Sequence, residues 1–554
     1  MNTVDPITLE VVRNALIACG DEMATVLNRT AYNMMIYEVH DYCVGLIDTQ
    51  GQIVSQNTGG LPIFLADLGV AIQDGVNTFG VDGFQTGDVV LMNYPYICGQ
   101  HLNNVVVYTP FIFEGELLGF PAVRAHWVDI GGARVGFGPG GTTEIYAEGL
   151  QFRSVKLAEA GKINENIQRL IYDNVRLPEA ALGDLRAQIA ACRVGERRLH
   201  ELYSRYGKET IQACIATIWD QAETLTRQAV ARIPDGCYQA ESFIDFDKQR
   251  VPISVRVEVS GETLCVDYSE LSDQVQGPIN SGESAGVAAA RVAFKAVTLP
   301  ELPVNEGSFR PLQVVLPPGK LMSARPPAAV GNWSLPLPTV VDTILRALAD
   351  VLPDLVPAAH KADMGGFTFH GMDPERGRRF ICMGIMGGGW GGRAQEDGPS
   401  ASVSICQGDV RNVPIERQEA YYPLLYERYA LRQDSGGAGK HRGGLGLEMR
   451  VRALHDMFVN RSIERAGCPP WGLWGGQAGA PPLNVVERGT GERLEMSTSI
   501  NRFPLAQGDV MTVLTPGGGG WGPPCERDPG LVEQDLARGY ISPEAAQTQY
   551  GHLR

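Results

Sequence analysis

Two of the nine histidines in the chain, His101 and His126, stand at the two ends of a segment that reads as a β-hairpin. His101 lies in GQHLNN, just before a run of apolar residues at 104–113. His126 closes a second run at 116–126, with Glu114-Gly115 as the turn between them. Antiparallel pairing of the two runs brings the imidazoles together. Imidazole titrates near neutral pH and is the commonest side-chain ligand for divalent transition metals. A facing pair therefore suits either acid–base work or metal binding, and a metal would need one or two oxygen donors beside it. Asn104 and Asp129 each stand three residues after a histidine, and Asp41, preceded by His40 at the head of an early strand, is a further carboxylate. A lone histidine in such a turn is more often a satisfied packing residue. Two of them, flanked by glycine-rich loops, put a ligand or acid–base role on an equal footing with packing.

The surrounding pattern supplies the scaffold. Asp5-Pro6 is suited to open a helix, since Asp caps free N–H groups and Pro costs nothing at the first helical position. Apolar residues then recur at helical spacing through Leu9, Val12, Leu16, Met23 and Leu27. Segments 43–47 and 52–54 read as strands, 64–78 as a helix, and VVLMN from Val89 as a strand. Residues 162–234 are helical in pattern and end at Ile233-Pro234-Asp235-Gly236. From 237 to about 325 strands dominate, with a small helical stretch at 280–298. After 325 come many Gly and Pro with short strands up to 524, then a helical tail at 528–554. The elements are segregated rather than alternating, so the class is α+β with mixed sheets, a helical middle segment and a β-rich C-terminal half. The expected division is 1–235 carrying the site, 236–430 mixed, and 431–554 rich in Gly and Pro.

Length and composition narrow the function. The chain has 554 residues, 44% hydrophobic and 20% charged, which is globular composition in more than one core. A net charge of -16 argues against nucleic acid and anionic membranes. No apolar run reaches the roughly 20 residues of a membrane span, and the N-terminus lacks a secretory pattern. The 11 cysteines are odd in number and form no C-x-x-C pair, which reads as reduced thiols and a cytoplasmic setting. There is no G-x-x-x-x-G-K-[ST] loop, no G-x-G-x-x-G between strand and helix, and no G-x-S-x-G elbow. Gly517–Gly520, flanked by prolines, reads as a structural turn. DSGGAGKHRGGLG (434–446) reads as tight turns, with Lys440 and Arg442 more suited to solvent than to a phosphate or partner. PPWGLWGG (469–476) reads as a buried corner with Trp471 and Trp474 in the core.

Several long blocks, in order along the whole chain, carry a family likeness. They are VDPITLEVVRNAL and NRTAY (4–36), HDYCVGLID (40–48), AHWVDIGG (125–132), TEIYAEGL (143–150), NVRLPEAALGDLRAQIAAC (174–192), GPINSG (277–282), DSGGAGKHRGGLG, PPWGLWGG and TPGGGGWG (515–522). With these the chain resembles the hydantoinase B family, which includes ATP-dependent hydantoin and lactam hydrolases, 5-oxoprolinase, and the acetone and acetophenone carboxylases. The resemblance implies a non-ATP-binding, substrate-transforming subunit. Its expected partner is a hydantoinase A-type chain of actin-like ATPase fold, which spends the ATP within a hetero-oligomer. It also implies a divalent metal (zinc, manganese or iron) at Asp41, His101, Asn104 and His126.

The sequence departs from the family at one of these positions, where Asn104 replaces the usual Asp. An Asn-Asp-Pro-Tyr run is likewise replaced by Asn93-Tyr94-Pro95-Tyr96. A neutral amide is a poorer ligand than a carboxylate, although Asp129 beside His126 could compensate. Hydrolysis through metal-bound water depends on a firmly held cation, whereas carboxylation of an activated enol needs oxyanion stabilisers and exclusion of water. His101, His126, Arg124 and the N–H groups of loop 130–141 would serve the latter. Tyr94, Tyr96, Trp127 and Phe137 would suit an aryl ketone if they line the site rather than simply pack. On this reading a ketone carboxylase is favoured over a cyclic-amide hydrolase, with a non-catalytic scaffold as the third possibility.

Overall fold

The computed structural model describes residues 4–64, 66–136, 141–246 and 249–551. Its N-terminal part is an eight-stranded sheet in the order Ile53–Gln56, Tyr42–Ile47, Glu116–His126, Asn104–Tyr108, Val89–Met92, Val155–Glu159 and Lys162–Ile163, with Phe111–Phe113 paired to Glu116–His126. Its pairings are antiparallel. Asn104–Tyr108 is central, and Val105, Val106 and Val107 are completely buried. A strand apolar on both faces, of β-branched residues, is what such a position selects.

The two faces of this sheet meet different partners. Val44, Leu46, Val105, Val107, Val123 and Ala125 pack on the helices Pro6–Thr30, Pro178–Tyr206 and Lys208–Val230. The first of these helices starts as expected, with the Asp5 carboxylate accepting from the Thr8 amide at 2.9 Å. On the inner face, Cys43, Val106, Tyr108 and Ala122 share one core with Ile253 and Val257 of a four-stranded sheet. The helices Glu283–Val297 and Pro336–Ala347 join the same core. That core is continuous from Met35 to Val413 and so joins residues on both sides of position 235. The functional row described below lies on this inner face.

The helix Pro336–Ala347 departs from the sequence reading, which placed only short strands there. Its two prolines, Pro336 and Pro338, fall in the first turn, where a missing N–H breaks no helical bond. The C-terminal part contains a second four-stranded sheet and a five-stranded sheet. Gly517–Gly520 is not a turn. Its successive amides donate to the carbonyls of Ala480, Gly444, Ala359 and Gln477, so the segment is threaded between four others. A Cβ at Gly518 would lie 1.8 Å from the Trp390 carbonyl oxygen, so only glycine fits. Arg442 is not in a solvated turn either: it is buried and pairs with Asp535 at 3.1 Å. Trp474 is 44% exposed rather than core, and Trp471 lies under the guanidinium groups of Arg346 and Arg465. No disulfide joins any of the 11 cysteines. Among the described residues, no helix is long and apolar enough to cross a membrane.

Candidate active site

Strand register assembles the site. Asn104 pairs directly with His126. On the other side of the same strand Tyr42 pairs with Ala125, and the His126 amide donates to the Asp41 carbonyl at 3.1 Å. Asp41, His126 and Asn104 therefore form a row across three neighbouring strands, and Cys43, Arg124 and Val106 form the next row. Side chains alternate along strands, so both rows point to the same inner face. His101 reaches this face from the loop before Asn104. Its ring centroid lies 4.9 Å from that of His126, at an interplanar angle of 61°. The imidazole pair expected from the hairpin is thus present, and the indole of Trp333 closes over it 5.9 Å from His101.

All these groups are buried, and burial sets their protonation. His101 is pushed down to about 4, chiefly because desolvation disfavours the charged ring; the nearby Arg124 charge adds to this, while the Asn104 amide and the Gly331 backbone oppose it. His126 is held well below its usual range by burial, with His101 as the second cause. Both rings are neutral at pH 7, with a lone pair on each. Asp41 is pushed up to about 7 by burial, against the pull of Arg124. Arg124 is itself fully buried, with its guanidinium 5.0 Å over the Phe64 ring.

The remaining expected residues fall elsewhere. Asp129 meets Arg176, whose Nη1 donates to it at 2.8 Å, and the same guanidinium donates to the Gly131 and Gly132 carbonyls. Asp129 therefore ties down the start of the glycine-rich loop instead of facing the imidazoles. Trp127 points to the opposite face and donates to Gln188 at 2.8 Å, so it does not line the site. Tyr94 and Tyr96 pack edge to face at 5.3 Å, and the Tyr96 hydroxyl donates to the Ala328 carbonyl. Phe137 lies outside the described residues, as does the middle of loop 130–141.

Sequence reasoning missed two contributors. Glu148, in the TEIYAEGL block, accepts from the Val330 and Gly331 amides at 2.9 Å each and from the Thr142 hydroxyl at 2.7 Å. It thereby clamps the segment that carries Trp333. Its partners are 182 and 183 positions away, so no local spacing announces it. Trp333 is likewise distant in sequence, and only the fold brings it to His101.

The implied metal can be tested on this donor set. Among the described residues, no three His, Cys, Asp or Glu side chains converge as a metal centre requires. What converges is two neutral imidazoles with the Asn104 amide beside them. The charge acting on Asp41 is that of Arg124. Such a nitrogen-rich, neutral set fits a borderline transition metal and not a hard cation such as magnesium.

The fold and site define a multi-sheet enzyme component with a buried histidine pair. The profile of the hydantoinase B/oxoprolinase family matches residues 5–524. A protein of a Pseudomonas species (strain NS671) named for D-/L-hydantoinase is 33% identical over 580 residues, covering 100% of this chain and 95% of that protein. The crystal structure of the ATP-dependent caprolactamase from Pseudomonas jessenii superposes with a TM-score of 0.92 at 30% identity, covering 100% of this chain and 97% of that one. The nucleotide-free structure of an acetone carboxylase superposes with a TM-score of 0.90 at 19% identity, over 99% of this chain and 80% of that one, which is a likeness of fold. The chain belongs to the hydantoinase B/oxoprolinase family of enzymes.

Proposed function

We propose that the chain is the substrate-transforming subunit of an ATP-dependent cyclic-amide hydrolase, working with an actin-like ATPase partner that phosphorylates the substrate. The observation carrying this reading is the neutral His101–His126 pair, buried and backed by Arg124 and Asp41. The preference for a carboxylase drawn from Asn104 is reversed here, because relatives at 30% identity or above carry hydantoinase and caprolactamase names. In this reading a neutral imidazole accepts the proton of a water attacking the O-phosphorylated amide carbon. It passes that proton to the ring nitrogen, and the proton of the tetrahedral hydroxyl follows to the same nitrogen as the hydroxyl collapses to a carbonyl and the C–N bond breaks, leaving a neutral amine. The resulting acyl phosphate is hydrolysed by a second water to a carboxylate and inorganic phosphate. Arg124 stabilises the growing negative charge. A divalent cation, if held by His101, His126 and Asn104, would supply Lewis acidity and lower the pKa of the attacking water.

The test is ADP release by the chain assembled with its ATPase partner, offered hydantoin, ε-caprolactam or 5-oxoproline. Amide-dependent ADP release is expected, and His126→Ala should lower it by about 10²–10⁴-fold, the usual range for a lost acid–base group. Turnover by the isolated chain without ATP would overturn the reading. A ketone carboxylase, favoured by the neutral Asn104, is the second reading. Bicarbonate-dependent ADP release with a ketone, and none with the amides, would establish it instead.

A further inference from the structure

The segment 328–335 is held unusually firmly for a loop. Glu148 accepts from its Val330 and Gly331 amides. Asn280 donates to the Ala329 carbonyl at 3.0 Å, and the Asn332 amide donates to the Pro278 carbonyl at 2.7 Å. One side of this segment faces a cavity of about 740 Å³, lined by Asn332, Leu335, Thr142 and Glu464 among others. The other side presents Trp333 to His101. Trp333 is 1% exposed, and its indole Nε1 has no hydrogen-bond partner among the described residues.

A buried donor left without an acceptor costs about 1–3 kcal/mol, and native proteins leave few of them. An indole N–H can only donate, so whatever satisfies it must bring an acceptor oxygen. The rigid mounting fixes the indole beside His101 before any ligand arrives, which is the condition for useful orientation of a substrate.

We propose that Trp333 is a substrate-orienting residue whose indole N–H donates to the carbonyl oxygen of the substrate, or to the same oxygen once phosphorylated, beside His101. The proposal rests on the carbonyl chemistry of the cyclic-amide reading and adds the donor that positions it. It also accounts for the Glu148 clamp, because a donor fixed by its own loop keeps its direction when the site is empty.

The experiment uses the full chain with its tryptophans labelled with ¹⁵N in the indole ring, titrated with ε-caprolactam and separately with acetone. Trp333→Phe keeps a ring against His101, removes the N–H, and identifies the Trp333 resonance by its disappearance. A downfield shift of that resonance on titration is expected. In the assembled complex, Trp333→Phe should raise KM for the amide about 5- to 30-fold, the loss of one hydrogen bond, with thermal stability unchanged or higher because the orphan donor is gone. Should the resonance stay fixed with both ligands while the wild-type complex turns over ε-caprolactam, the proposal is overturned and the functional reading survives. Should the resonance shift with either ligand although no amide drives ADP release, the proposal stands and the hydrolase reading falls. A Trp333→Phe variant that melts lower with unchanged KM would mark a packing role and also overturn it.

Discussion

Two buried histidine sites in this molecule are built on opposite rules. At His360, Nδ1 meets the Asp342 carboxylate at 2.7 Å, the His360 amide donates to the same group at 3.2 Å, and Arg465 donates to it from the other side. Next to it, Lys361 donates to the Asp363 carbonyl at 2.9 Å, and Asp363 accepts from the Glu464 amide at 2.8 Å. Cation answers anion in this cluster, which knits the segments around 342, 360 and 465 together. At His101 and His126, by contrast, imidazole faces imidazole. No ion pair is possible between two such rings, so burial itself removes their charge. The difference lies in how charge is handled: one cluster answers it with a partner and is spent on structure, whereas the other suppresses it by desolvation and holds two neutral imidazoles, the form in which a ring accepts a proton.

The largest expected effect tests the structural half of that contrast. Asp342→Ala strands the buried Arg465 and removes the partner of His360, and breaking a buried pair from one side costs about 3–5 kcal/mol. Chemical denaturation should show a loss of that size, or the variant should fail to accumulate as folded protein. Whatever fraction folds should retain its turnover per molecule. A stable Asp342→Ala variant with abolished turnover would break the comparison, because the ionic cluster would then be the chemical site.

Glu148 lies between the two cases, being a buried acid with three donors that is nonetheless pushed up from 4.5 to about 7, first by burial. Because its folded value is raised, the native state holds a proton that the unfolded chain releases between those two values. The associated stability is present below pH 4.5 and is lost as pH rises to about 7. At about 1.4 kcal/mol per pKa unit, the loss is on the order of 3 kcal/mol. Tyr96 is a titratable neighbour of this group, itself pushed up by burial and by Glu148. Glu148→Gln should flatten stability against pH over that window in denaturation curves. A variant as pH-dependent as the parent there would show that the clamp is not the titrating group.

Part of this was legible from the residues alone and part was not. The hairpin placed His101 against His126 because period-two alternation and a turn fix a register within some 25 residues. Asp41 joined the same row because the strand at 42–47 pairs next to 116–126. The clamp at Glu148 and the lid at Trp333 were invisible, since nothing in either neighbourhood encodes a contact across more than 180 positions. Asp129 misled because spacing alone cannot reveal that Arg176 claims it. Trp127 misled through the same alternation that placed His126, since adjacent strand residues point to opposite faces. The prolines at 336 and 338 hid a helix, and the glycine run at 517–520 hid a threaded segment, because both residues also punctuate turns.

The smallest expected effect concerns Asn104, and the structure changes what substitution there means. Asn104→Asp is a nearly isosteric return of a carboxylate ligand. In the fold, however, the Asn104 Nδ2 donates to Gln100 Oε1 at 2.6 Å, and Gln100 Nε2 in turn donates to the Ile63 carbonyl at 3.3 Å. A carboxylate at 104 would set acceptor against acceptor unless Gln100 turned its amide and gave up Ile63. Without metal, the variant should therefore lose about 1–3 kcal/mol, the cost of an unmet buried polar group. With a cation between His101 and His126, the added anionic donor supplies a charge–charge attraction that an amide dipole lacks, and the loss should be recovered. Elemental analysis for zinc, manganese and iron, with denaturation in chelator and in each metal, reads both effects. More metal per chain in the variant, and stability restored only by that metal, would place position 104 among the donors. A loss of stability that no metal repairs would mean that Asn104 serves its hydrogen bonds to Gln100 and His101 and not a metal, and the departure from the family at this position would then no longer bear on carboxylation against hydrolysis.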